Sequence, residues 1–97
     1  MLFEIGRVVI TPAAEKLLEE AGTPADAFLA RHRNGDCGDF DKEERDEHWR
    51  ALVARYRFIS VYRTGTGSKV WVITERDRGV TTIFVSGEWP KEGVNAL

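Results

Sequence analysis

The sequence predicts a single α+β domain with the element order β-α-α-α-β-β-β. Three observations lead there. The chain has 97 residues, enough for one core and short of two. Apolar positions recur with helical spacing through its first half and with a period of two from residue 57 onward. Turn and cap residues fall where those periodic segments begin and end.

The first strand is expected over residues 3–10, where Ile5, Val8, Val9 and Ile10 are β-branched. Thr11-Pro12 ends it and opens a helix, the threonine as cap and the proline at a position that needs no N–H. Ala14, Leu17, Leu18 and Ala21 form that helix's apolar stripe, and Gly22 its left-handed stop. Thr23-Pro24 repeats the start signal, with Asp26 as a capping-box partner. The second helix turns Phe28 and Leu29 inward and ends near Asn34-Gly35. After a loop over residues 36–40, Asp41 and Glu44 mark a third helix, whose buried stripe is expected to be Trp49, Leu52, Val53 and Tyr56. Three strands follow over residues 57–63, 69–75 and 80–86 as an antiparallel meander, with the helices packed on the sheet and the first strand added to it. The middle strand carries Val70-Trp71-Val72-Ile73, apolar on both faces, as in a central strand. The tail after about residue 90 is expected to be loose.

Composition narrows the function. Lys and Arg number 14 against 16 Asp and Glu, a net charge of −2, which argues against a binder that coats nucleic acid with its whole surface. A single cysteine, Cys37, excludes an internal disulfide and a cysteine-based zinc site. His32 and His48 lack metal-ligand spacing, so neither a metal nor a cofactor is expected. Apolar runs are too short for a membrane span, and no signal-peptide pattern precedes the first strand. A cytoplasmic domain without membrane contact is the expectation.

Two polar clusters are candidate sites. One runs Arg31-His32-Arg33-Asn34-Gly35-Asp36-Cys37-Gly38-Asp39, where flanking arginines would favour a neutral imidazole able to act as a base. Its plain reading is a basic helix C-terminus followed by turn glycines and capping aspartates. The other is Thr74-Glu75-Arg76-Asp77-Arg78-Gly79-Val80-Thr81-Thr82, able to position a phosphodiester or simply to form a charged hairpin tip. A third charged cluster, Asp41 to Arg50, contains His48, which on helical spacing borders the Trp49, Leu52 and Val53 stripe and reads as a boundary residue rather than a ligand. If both loops lie at one end of the domain, Arg31, His32, Asp36, Asp39, Glu75, Arg76 and Arg78 would border one binding surface.

Val9-Ile10-Thr11-Pro12-Ala13-Ala14, Phe28-Leu29-Ala30-Arg31-His32, Gly35-Asp36-Cys37-Gly38 and Ser60-Val61-Tyr62-Arg63 resemble motifs of a small family encoded on bacterial plasmids and integrated elements. The most specific string is Thr-Glu-x-Asp-Arg-x-x-Thr-Thr-Ile, present as residues 74–83. The likeness runs from the first strand to Trp89, with Cys37 standing where that family more often has Trp. The resemblance implies a mobile-element setting and transfers no activity. The leading expectation is a non-catalytic accessory module that contacts a protein or nucleic-acid partner, with a host-defence inhibitor as one form. The alternative is a metal-independent ribonuclease or toxin-like enzyme of barnase- or RelE-type architecture. There His32 is the general acid/base, Glu75 its partner, Arg76 and Arg78 the phosphate clamp and Thr82 a donor. A homodimer through Trp71 or Phe84 is a further expectation, since so small a chain has little helix to cover both sheet faces.

Overall fold

The computed structural model describes residues 3–88. The elements follow the expected order: β1 (Arg7–Ile10), α1 (Pro12–Ala21), α2 (Ala25–Arg33), α3 (Lys42–Val53), β2 (Phe58–Arg63), β3 (Lys69–Thr74) and β4 (Val80–Val85). The loose tail expected after about residue 90 lies outside the described residues. β2, β3 and β4 form the antiparallel meander, and β1 joins the far side of β4 in parallel, giving the order β1-β4-β3-β2.

Strand parity sorts the side chains onto two faces. Tyr62, Val70, Val72 and Ile83 meet Ala14 and Leu18 of α1 and Phe28 and Leu29 of α2 in the principal core. Ile73 and Phe84 are buried on the opposite face, with Ile59 and Trp71 packed against them. Phe84 is therefore not left open for a partner, and Trp71 is half-buried, its indole N–H donating to Ser86 Oγ at 3.1 Å and its ring meeting Phe40 edge-on.

Short-range signals set most helix ends. Thr11 Oγ1 accepts from the Ala14 N–H at 3.2 Å, and Gly22 takes the left-handed conformation after α1. Asp41 and Glu44 form the reciprocal capping box, each side chain accepting from the other's backbone N–H at 2.8 and 3.3 Å. Three expectations need correction. The first strand is shorter than residues 3–10, because Gly6 takes φ +62 and lies so close to the hairpin after β3 that a Cβ there would sit 2.4 Å from the Gly79 carbonyl oxygen. Thr23 does not cap α2: its hydroxyl turns back to the Ala21 carbonyl, and Pro24 occupies the cap position with no side-chain bond. Trp49 and Tyr56 are not a buried stripe, being 47% and 52% exposed. The side chains of Leu52 and Val53 lie outside the described residues.

The loop between α2 and α3 is part of the sheet's architecture. Gly38 bridges Val61 on the outer edge of β2: the Asp39 N–H donates to the Val61 carbonyl at 2.7 Å, and the Val61 N–H to the Cys37 carbonyl at 3.0 Å. An edge strand with unpaired backbone groups is a template for aggregation, and this loop covers it. Glycine is required there, since Gly38 has φ +81 and a Cβ would fall 2.0 Å from the Val61 oxygen. Gly38→Ala is expected to destabilise the fold by at least about 2 kcal/mol in urea unfolding, through left-handed strain and lost edge pairing. Gly65→Ala, in a turn where a Cβ meets nothing within 4 Å, is the control and should unfold with the wild type.

Candidate functional site

His32 sits in the last turn of α2, fully buried, between the rings of Phe3 at 5.4 Å and Phe58 at 5.1 Å. Its position on the helix puts it on the same inward side as Phe28 and Leu29, spaced four and three residues before it. Both ring nitrogens are engaged: Nδ1 with Ser60 Oγ at 2.6 Å and Nε2 with Thr74 Oγ1 at 2.7 Å. Thr74 Oγ1 in turn contacts Thr81 Oγ1, its direct cross-strand neighbour, at 2.6 Å, and Thr81 donates to the Ile5 carbonyl at 2.7 Å.

With a neutral imidazole, this chain has only one consistent set of protons. The Ile5 carbonyl can only accept, so the Thr81 hydrogen is spent on it. Thr74 must then donate to Thr81 and accept from His32, which places the imidazole proton on Nε2. A neutral imidazole has one proton, so Nδ1 accepts from the Ser60 hydroxyl. The neutral form is enforced electrostatically. Burial, and secondly the nearby Arg78 cation, hold the His32 pKa down at about 3.

Arg78 is the other buried member of the cluster. It adopts φ 62 at the end of the β3–β4 turn and folds its guanidinium inward, where Nη1 donates to the carbonyls of Tyr56 at 2.8 Å and Glu75 at 3.2 Å. The guanidinium carbon lies 5.3 Å from the Phe3 ring centre. Nε is buried without a hydrogen-bond partner, and burial, then Arg55, lowers the group's pKa. Asp77 accepts from the Gly79 N–H at 2.8 Å and shapes the same turn.

The remaining sequence-selected residues separate into two places. Arg31 is ion-paired to Asp36 and Arg63 to Asp39, both at 2.7 Å and about half exposed, so each pair contributes only about 0–1 kcal/mol. Burial pushes the Asp36 pKa up, but bonds from Arg31 and the Gly38 N–H outweigh it and leave it lowered. Tyr62 completes this end: Phe28 stacks on its ring at 4.9 Å, Arg31 lies 4.5 Å above it, and its hydroxyl donates to the Asp36 carbonyl. Asp39 is thus tied to Arg63, at the end of β2 that pairs with Lys69, whereas the turn carrying Glu75, Arg76 and Arg78 follows Thr74, opposite Phe58. Five strand steps separate those ends, about 16 Å. The two loops do not share a cleft, and the single surface expected from Arg31, His32, Asp36, Asp39, Glu75, Arg76 and Arg78 is not formed. The enzyme constellation is not assembled either. His32 is sealed between α2 and the sheet with both nitrogens occupied by hydroxyls, and Thr82, paired with Ile73, lies on the other face of the sheet from Thr81 and His32.

What the structure exposes instead is a groove of about 470 Å³ between α3 and the β3–β4 turn. Glu47, His48 and Ala51 form its helical wall, Ile59 its floor, and Tyr56, Arg57 and Arg76 its opposite rim. His48 stacks on Phe40 at 4.2 Å, and burial lowers its pKa despite Glu44 and Glu47. Arg76 is exposed, its guanidinium 5.7 Å from the Tyr56 ring centre. Glu75 is half-buried, with its pKa raised by burial against the pull of Arg57. Periodicity assigned Tyr56 to the core, which hid this groove; the signal present in the sequence was the alternation Arg55-Tyr56-Arg57 immediately after a helix. Among the described residues no group of three or more His, Cys, Asp and Glu side chains could hold a metal. No family model matches the chain, and comparisons with curated proteins and with solved structures yield no significant match.

The His32 pKa has a consequence for stability. An unfolded histidine takes up a proton below about 6.5, while the native imidazole resists until about 3. In that window the unfolded state binds more protons, so stability falls as the pH falls, by up to about 1.4 kcal/mol per unit. Urea midpoints measured from pH 7 down to pH 4 should show this decline, shallower in His32→Gln. Histidine NMR should find one non-titrating Nε2–H imidazole, and titration near 6.5 would refute it.

Proposed function

We propose that the protein is a non-catalytic binding module that acts by contact with a protein or nucleic-acid partner through the groove beside Tyr56. The observation carrying this is the contrast between the sealed His32 and the open groove. The imidazole best placed by sequence for acid–base chemistry is walled in and held neutral. The accessible groove offers an aromatic ring, arginines and an apolar floor, groups suited to recognition, beside Glu47 and a His48 stacked on Phe40. The mobile-element setting, and a host-defence inhibitor as one form of the module, rest on the resemblance of residues 74–83. That resemblance sits easily with a scaffold role: Thr74 and Thr81 belong to the buried hydrogen-bond chain, and Asp77 and Arg78 close the turn. Self-association would have to use surfaces other than the buried Phe84.

Affinity recovery from lysate with the tagged full chain, beside Arg76→Glu, tests this reading. The expected result is a specific partner retained by the wild type and reduced about tenfold by the variant, as loss of one well-placed charged contact would give. Recovery of nothing specific, or degradation of RNA incubated with excess protein, would overturn it.

A further inference from the structure

We infer that the groove beside Tyr56 binds a nucleotide unit of single-stranded nucleic acid, the base against the Tyr56 ring and the phosphate at Arg76. The inference deepens the contact-module reading of the same groove and rests on it. Tyr56 is half-exposed, and its backbone is held at both polar groups, the N–H donating to the Ala51 carbonyl at 2.9 Å. Its carbonyl accepts from the buried Arg78, and the Arg76 guanidinium lies at its ring. A tyrosine ring on a held backbone has only two side-chain torsions to lose when a base stacks on it, and such stacking is indifferent to base identity.

Size and charge agree. About 470 Å³ lies within the range of sites for single small ligands, a nucleotide included. The cationic side of the groove is the rim of Arg57 and Arg76, whereas Glu47 stands on the α3 wall. A phosphate is therefore drawn to the exposed Arg76, on a turn that also carries Glu75 beside Arg57, and repelled from Glu47 on the helix, which gives the strand a polarity across the groove. Ala51 and Ile59 supply apolar contact beneath the sugar and base, and His48, with its pKa lowered by burial, adds little positive charge to that wall. A carboxylate side chain alone would use the arginines and leave the aromatic and apolar walls without a matching group. A nucleotide uses both. The net charge of −2 does not oppose this, because the contact is one local rim and not a basic surface.

Fluorescence anisotropy of the full chain with labelled single-stranded homopolymers of about 12 nucleotides, and with a duplex of equal length, tests the assignment. The single strands should bind and the duplex should bind far more weakly, because its bases are already stacked. With about two phosphates neutralised, affinity should fall about sevenfold between about 50 and 200 mM salt. Tyr56→Ala should weaken binding at least about fivefold and Tyr56→Phe should restore it, while circular dichroism of both stays that of the wild type. Absence of single-strand binding, equal duplex binding, or an undiminished Tyr56→Ala variant would overturn the inference. If single strands fail to bind but lysate recovery still depends on Arg76, the nucleotide assignment falls and the contact-module reading stands. If both fail, both fall.

Discussion

The structure depends on one buried line of hydrogen bonds that crosses it from edge to edge. Ser60 on β2, His32 on α2, Thr74 on β3, Thr81 on β4 and the carbonyl of Ile5 ahead of β1 are joined in sequence, every donor spent once. A polar line in a core is costly unless complete, because one orphaned partner costs about 1–3 kcal/mol. Here completeness demands that five segments arrive in register at once, so the line rejects arrangements that burial of apolar surface alone would tolerate. It also explains the aromatic wall. Phe3 and Phe58 meet edge-on at 5.5 Å and pack against the imidazole, replacing water that would otherwise compete for its nitrogens.

Holding His32 in place requires that the end of α2 be held too, and the loop that follows performs that task. Backbone pairing of Cys37 and Asp39 with Val61 anchors it to β2, and Tyr62 ties it from beneath through the Asp36 carbonyl. The helix end is therefore clamped to the very strand that supplies Ser60. The ion pairs Arg31–Asp36 and Arg63–Asp39 lie on the solvent side of this clamp and add little energy. They orient the loop; the backbone bonds carry it. Arg31, Asp36 and Asp39, which looked like part of a recognition surface in the sequence, are thus occupied in supporting a buried imidazole.

How much of this could be read beforehand follows from the range of each interaction. Caps at Thr11 and at Asp41 with Glu44 act over three residues, and the period-two strands bury alternate side chains against a common core, so both were legible. Thr23 mimicked a cap, but the tight αL exit at Gly22 turns its hydroxyl back to Ala21. The partners of His32 lie 28 and 42 residues away, and no local pattern can say that a polar residue on an apolar stripe will find them. A faint signal was present: Thr74 and Thr81 have the same inward parity as Val72 and Ile83, so two hydroxyls were placed in the core before any partner was known. Tyr56 failed for a different reason. Its exposure depends on how α3 lies against β2, which helical spacing leaves open.

Arg76 and Arg78 show how scaffold and surface are kept apart within one turn. Two residues apart, they point to opposite fates: Arg78 is buried, its Nη1 donating to two backbone carbonyls, and Arg76 stays outside over an exposed ring. The left-handed conformation at Arg78 makes the difference, since it reverses the chain just where the turn must re-enter β4. An inward cation without a carboxylate in its hydrogen-bond set raises the local potential, which is part of what keeps His32 unprotonated. The same guanidinium fixes the Tyr56 carbonyl and with it the rim of the groove. Arg78 thus connects the buried line to the exposed platform: it biases the charge state of one and sets the backbone of the other. Side chains at the rim, Arg76 above all, can change the character of that surface without breaking any bond of the line beneath.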